Sequence, residues 1–127
     1  IALCALEGNT LSYAGANNPL WIIRKGELIE TKAHKQPIGK FDEQTPYTTH
    51  EFELEKGDTF YIFSDGYADQ FGGEKGKKYK SGNFKSFLLS IQNHPMEEQS
   101  EMLLKEFEKW RGIYEQIDDV CVIGVRV

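Results

Sequence analysis

The chain has 127 residues, 39% of them hydrophobic and 13% aromatic, and carries a formal net charge of -5 with a pI near 5.2. That is the length and composition of one globular domain able to bury a core. The acidic balance, with no basic stripe, excludes a nucleic-acid binder. It leaves room for a phosphorylated substrate if a metal supplies positive charge locally.

The two cysteines, Cys4 and Cys121, lie inside apolar runs. They read as small buried hydrophobes, not as a disulfide framework or a zinc site, and this suits a reducing cytoplasm. No signal peptide or membrane span is visible. The chain starts at Ile1 inside an apolar run, so it reads as a piece of a longer protein.

Residues 1–6 are apolar throughout and predict a buried strand. Glu7-Gly8-Asn9-Thr10 supplies a turn, and residues 11–16 a second strand. Asn17-Asn18-Pro19 breaks that strand, residues 20–24 resume it, and Lys25-Gly26-Glu27 turns the chain into a strand over 28–33. This meander of short strands predicts one antiparallel sheet. Gln36-Pro37-Ile38-Gly39 reads as a surface connection. Residues 47–54 alternate, with Phe52 and Leu54 on one parity and Glu51 and Glu53 on the other, as in a half-buried strand. Glu55-Lys56-Gly57-Asp58 reads as a hairpin turn into the strand Thr59-Phe60-Tyr61-Ile62-Phe63, whose aromatic and β-branched content predicts burial on both faces.

The stretch 71–78 holds three glycines in five positions together with lysines, and reads as a mobile flap. Its spacing matches no phosphate-binding loop. Phe84, Phe87, Leu88 and Ile91 recur at helical spacing and predict a helix over 83–92. Pro95 opens a second helix, Glu97 and Glu98 suit its positive end, Met102, Leu103, Phe107 and Trp110 form its core stripe, and Gly112 ends it. Residues 120–127 form the last strand. Strands and helices are segregated, which makes the fold α+β with mainly antiparallel sheet. His34, His50 and His94 sit among polar neighbours and read as surface residues.

Two places carry acids against apolar strands. Asp65-Gly66 follows the strand over 59–63, and Asp118-Asp119 precedes the strand over 120–127. If these strands are antiparallel neighbours, Asp65 and Asp118/Asp119 meet at one rim. Gathered carboxylates repel unless a cation sits between them. Oxygen-only ligands select a hard ion such as Mg²⁺ or Mn²⁺. The competing reading is that both acidic pairs are only turns, which predicts that they lie apart and bind no ion.

With these residues in view, the chain resembles the C-terminal half of the PPM-type metal-dependent serine/threonine phosphatase domain, in its stage II sporulation protein E-like branch. Four stretches carry the resemblance in order: Leu11 to Leu20 with its Ala-Asn-Asn-Pro end, Gln36-Pro37-Ile38-Gly39, Gly57-Asp58 with Ser64-Asp65-Gly66, and Asp118-Asp119 with the strand after it. The resemblance implies a two-sheet antiparallel sandwich with two flanking helices and a binuclear Mn²⁺ or Mg²⁺ site. It implies that Asp65 and Asp118 are metal ligands and that Gly66 and Asp119 support them, Gly66 as a residue the turn requires. No catalytic side chain is implied, because the attacking group is a water that the metals activate.

The upstream Asp-Gly motif of the family has no counterpart in the sequence, since Asp42 and Asp58 lack its context. Residues 1–127 are therefore expected to form the C-terminal part of a single domain, to hold about half of the metal site and to be nearly inactive alone. Exposed apolar surface would favour self-association. The expected substrate is phosphoserine or phosphothreonine on a regulatory protein such as an anti-sigma factor antagonist. A pseudophosphatase or protein-interaction module with the same fold is the alternative.

Overall fold

The computed structural model describes residues 1–32 and 49–127. The 36–39 element, His34, Asp42 and the first residues of the strand expected over 47–54 lie outside the described residues. The chain divides into two compact units, Ile1–Phe63 with Ile123–Val127, and Ser64–Val122.

The first unit is built of two antiparallel sheets. β1 (Ala2–Glu7), β2 (Thr10–Gly15) and β5 (His50–Glu53) form one, in the order β1-β2-β5. β3 (Leu20–Arg24), β4 (Glu27–Thr31), β6 (Thr59–Phe63) and β9 (Val122–Arg126) form the other, in the order β4-β3-β6-β9. The expected single meander is thus divided: the break at Asn17-Asn18-Pro19, where Asn17 takes φ 65°, sends the chain from one sheet to the other. Strand periodicity records which face is apolar, not which sheet a strand joins.

The alternation of β2 sends Leu11 and Tyr13 inward, where they meet Leu20 and Ile22 of β3, Phe60 of β6, and Leu54. These residues form the core of a two-sheet sandwich. Both Phe60 and Tyr61 are buried, as expected for β6, which is internal to its sheet.

β1 corrects the sequence reading. It is an edge strand, and although Ala2 and Cys4 pack against the core, Leu3 is 70% exposed. An unbroken apolar run does not bury a strand that has a neighbour on one side only. Cys121 is likewise exposed rather than buried, whereas Cys4 is half-buried and burial pushes its thiol pKa up.

The turn before β6 joins the two sheets and is not a hairpin. It is fastened by an ion pair the sequence does not announce. Arg24 donates from Nε to Asp58 Oδ1 at 3.0 Å and from Nη2 to Asp58 Oδ2 at 2.7 Å. The Glu55 amide donates to the same carboxylate at 2.8 Å. The Asp58 backbone carbonyl accepts from Val127 N at 3.0 Å, and Gly57 N donates to Val127 O at 2.8 Å, so the same turn holds the end of β9. Asp58 is 2% exposed. A carboxylate this buried is tolerable only because a planar guanidinium and an amide meet it.

In the second unit, α1 (Gly66–Asp69) is followed by β7 (Phe71–Gly72) and β8 (Lys77–Lys78), then α2 (Ser81–Ser90) and α3 (Met96–Arg111). Pro95 caps α3, and Gly112 ends it at φ 53°. The expected helices appear with shifted ends. Tyr67, Phe84, Leu88, Ile91, Leu103 and Phe107 are buried, and the rings of Tyr67 and Phe84 stack at 4.5 Å. Burial holds the Tyr67 phenol well above its ordinary pKa, so it stays a donor, here to Leu103 O at 2.7 Å.

The stretch read as a mobile flap is an antiparallel hairpin, β7 paired with β8. Its glycines serve packing: a Cβ on Gly72 would come within 1.9 Å of the Trp110 carbonyl oxygen. Among the described residues, no helix is long and apolar enough to cross a membrane.

The Arg24 hydrogen bonds, helped by the Glu55 amide, hold the Asp58 carboxyl below the ordinary carboxylate range against the opposing effect of burial. A depressed folded pKa means the stabilisation is complete above the unfolded value of about 3.9 and is lost as pH falls through the folded value. Asp58→Ala is expected to lower stability by ~2–3 kcal/mol at pH 7. Urea unfolding at stepped pH should show that deficit steady near neutrality and shrinking once the pH drops below about 4.

Candidate functional site

The acidic stretches meet through the residue just before Asp65. Ser64 N donates to Cys121 O at 2.9 Å, and Cys121 N donates to Ser64 Oγ at 2.9 Å. Ser64 Oγ in turn donates to Asp119 O at 2.9 Å, across 55 residues of sequence. A serine can do this because its hydroxyl both accepts and donates. The residue therefore clasps the backbone on both sides of Val120. The sequence reading used Ser64 only as part of Ser-Asp-Gly and gave it no role of its own. Its neighbours Asp65 and Asp119 were the only hint.

Asp65 stands at the N-cap of α1, with φ -70° and ψ -15°, and its side chain makes no capping hydrogen bond. The Asp69 amide donates to the Asp65 carbonyl at 3.0 Å and closes the single turn of α1. The helix fixes the backbone of Asp65 while its carboxylate is not spent on the cap, and the residue is exposed.

Gly66 is buried for a reason other than the one the sequence suggests. It occupies the first position of α1, not a left-handed turn. A Cβ there would lie 2.2 Å from the Asp119 carbonyl oxygen, so only glycine lets the α1 start approach the Asp119 backbone this closely.

Asp118 and Asp119 are exposed. Asp118 Oδ1 accepts from the Asp119 amide at 2.8 Å, and Gln116 Nε2 donates to Asp118 O at 3.0 Å. These local bonds hold the acidic stretch in a defined bend. The backbones that carry Asp65 and Asp118-Asp119 are thus brought together, Gly66 against Asp119. The reading that leaves the two acidic pairs far apart does not describe this arrangement.

The donor set here is entirely oxygen, the type that Mg²⁺ and Mn²⁺ take, and the glycine cradle lets the two stretches close up. Among the described residues, no group of three or more His, Cys, Asp or Glu side chains is arranged to hold a metal. The carboxylates therefore fit a hard divalent ion in kind.

Asp69, one turn along, is half-exposed, and its carboxylate lies 3.8 Å from Lys78 Nζ. That surface pair links α1 to β8 only weakly, as expected for an exposed pair screened by water. Lys77, Lys78 and Lys80 are exposed.

The chain is similar in structure to the SiaA-PP2C domain of Pseudomonas aeruginosa, with a TM-score of 0.84 and 32% identity, over 94% of this chain and 47% of that one. It is similar to the manganese-presoaked phosphatase domain of the cell fate determinant SpoIIE from Bacillus subtilis, with a TM-score of 0.68 and 21% identity, over 100% of this chain and 56% of that one. It also matches the fold of the serine/threonine phosphatase PstP/Ppp of Mycobacterium tuberculosis, with a TM-score of 0.62 and 18% identity, over 95% of this chain and 56% of that one. The chain spans about half the length of these solved relatives. No curated protein matches its sequence significantly. The fold is that of the PP2C-type phosphatases, and since the family model for stage II sporulation protein E covers residues 1–127, the chain belongs to the SpoIIE family.

Proposed function

We infer that this chain supplies Asp65 and Asp118 to the divalent-metal site of a protein serine/threonine phosphatase. The observation that carries the reading is the Ser64 clasp with Gly66 seated against Asp119, which draws two acidic stretches together without using the Asp65 carboxylate as a cap. Membership of the SpoIIE family and the manganese soak of the Bacillus subtilis relative support it. Mg²⁺ or Mn²⁺ bound there would supply Lewis acidity to a phosphate ester and lower the pKa of an attacking water. The chain's own work is to hold Asp65 on α1, to keep Asp118 in its bend through Asp119 N and Gln116, and to keep the two stretches in register. Asp119 acts through its backbone, which anchors Ser64 and limits Gly66.

Two carboxylates bind a divalent ion weakly by themselves. The rest of the coordination would come from water and from groups beyond these two carboxylates. Residues 1–127 alone should therefore have little activity. The substrate in this reading is a phosphoserine or phosphothreonine on a regulatory protein of a bacterial signalling pathway, handled in the cytoplasm.

The test is Mn²⁺-dependent hydrolysis of p-nitrophenyl phosphate by the intact protein. Asp65→Asn should lower kcat on the order of a hundredfold or more while leaving the melting temperature near that of the wild type. Full activity in Asp65→Asn would remove that residue from the site. Absence of both activity and metal binding in the wild type would leave the fold serving as a binding module. Gly66→Ala puts a methyl against the Asp119 carbonyl. It should cost ~1–3 kcal/mol of stability in thermal unfolding and raise the Mn²⁺ concentration needed for half-maximal rate.

A further inference from the structure

Gln70 has no exposed surface, although it lies just past a helix of one turn and beside a polar hairpin. Its Nε2 donates to Glu115 O at 2.8 Å and to Phe71 O at 3.0 Å. Its backbone carbonyl accepts from Trp110 Nε1 at 2.9 Å and from Tyr79 N at 2.9 Å. One residue thus joins α1, the β7-β8 hairpin, the end of α3 and the linker that follows it.

The amide oxygen Oε1 is buried and, among the described residues, meets no hydrogen-bond partner. Exchanging the two amide atoms would not help, because both Nε2 partners are carbonyls and need a donor. A buried acceptor left unpaired costs desolvation free energy that an apolar side chain of similar size would not. A leucine or methionine here would remove the unpaired acceptor but would leave the carbonyls of Glu115 and Phe71 without this donor. What glutamine adds is the donor that reaches Glu115.

That donor has a consequence for the acids. Gln70 ends the turn that Asp65 begins, and Glu115 stands three residues before Asp118. We propose that Gln70 is a positioning residue, whose amide pins the 115–119 linker to the end of α1 and so sets the spacing of Asp65 and Asp118 from the side opposite the Ser64 clasp. The proposal rests on the metal reading of those two carboxylates.

The test uses the intact protein with Gln70→Leu and Gln70→Met, both of which keep the bulk and lose the donor. Leu88→Ala, a buried α2 substitution with no role in the linker, serves as a control of comparable instability. Two readouts are taken well below the melting temperature. The first is Mn²⁺ affinity by calorimetry without substrate. The second is amide hydrogen exchange over residues 115–121 without added metal.

Both Gln70 variants should weaken Mn²⁺ binding about tenfold and speed exchange across the linker. Leu88→Ala should do neither. Unchanged exchange over 115–121 in the Gln70 variants, or equal changes in Leu88→Ala, would overturn the proposal. Asp65→Asn is measured alongside. If it leaves Mn²⁺ binding intact, or the wild type binds no Mn²⁺, the metal reading fails, and with it the spacing role of Gln70. If Asp65→Asn loses the ion and the Gln70 variants keep it at full affinity, only the proposal about Gln70 fails.

Discussion

The acidic site depends on the side chain of Ser64. It accepts from Cys121 N and donates to Asp119 O, while its own amide donates to Cys121 O. Each bond is worth about 1 kcal/mol net, so the clasp is not a large stabilising term. Its importance is geometric. It fixes the register of two segments far apart in sequence, the one that carries Asp65 and the one that carries Asp119. Asp65 follows Ser64, and the backbone of Asp119 is its partner, so the clasp ties the two acidic stretches directly.

Glycine allows what serine specifies. Hydrogen bonds at 2.9 Å set the approach, and a side chain on Gly66 would forbid it, because its Cβ would fall 2.2 Å from Asp119 O. The same logic recurs at Gly72 against Trp110 O, where the amide of Gly73 donates to that carbonyl at 2.9 Å. In both places a carbonyl oxygen of a distant segment lies where a side chain would stand. Gly66 and Gly72 are therefore packing residues as much as flexible ones. This is why the 71–78 stretch, read from composition as mobile, is a closed hairpin.

How much of this the sequence discloses depends on the range of each interaction. The strands appear because an apolar run or an alternation is local. The cores of α2 and α3 appear because Phe84, Leu88, Leu103 and Phe107 repeat at helical spacing. The pairing of β6 with β9 could be proposed because acids mark the matching ends of both. Other features had no local mark. Nothing in Leu3 says that its strand lies at an edge, nothing in Cys121 says that it stands just ahead of β9, and nothing in the meander says that it changes sheet at Pro19. Arg24 and Asp58 are separated by 34 residues and look like ordinary surface charges until the fold buries the carboxylate. Gln70 is a polar residue in a polar stretch, and only its burial shows that it is part of the interior.

The two buried polar residues then divide the work differently. Asp58 is fully met, by a guanidinium fork and a backbone amide, and such a group can stabilise what it joins. Both of its oxygens are engaged by these partners. Gln70 is only partly met, with one amide nitrogen used twice and one oxygen unused. The unmet oxygen accompanies a donor that ties Glu115 beside the turn carrying Asp65.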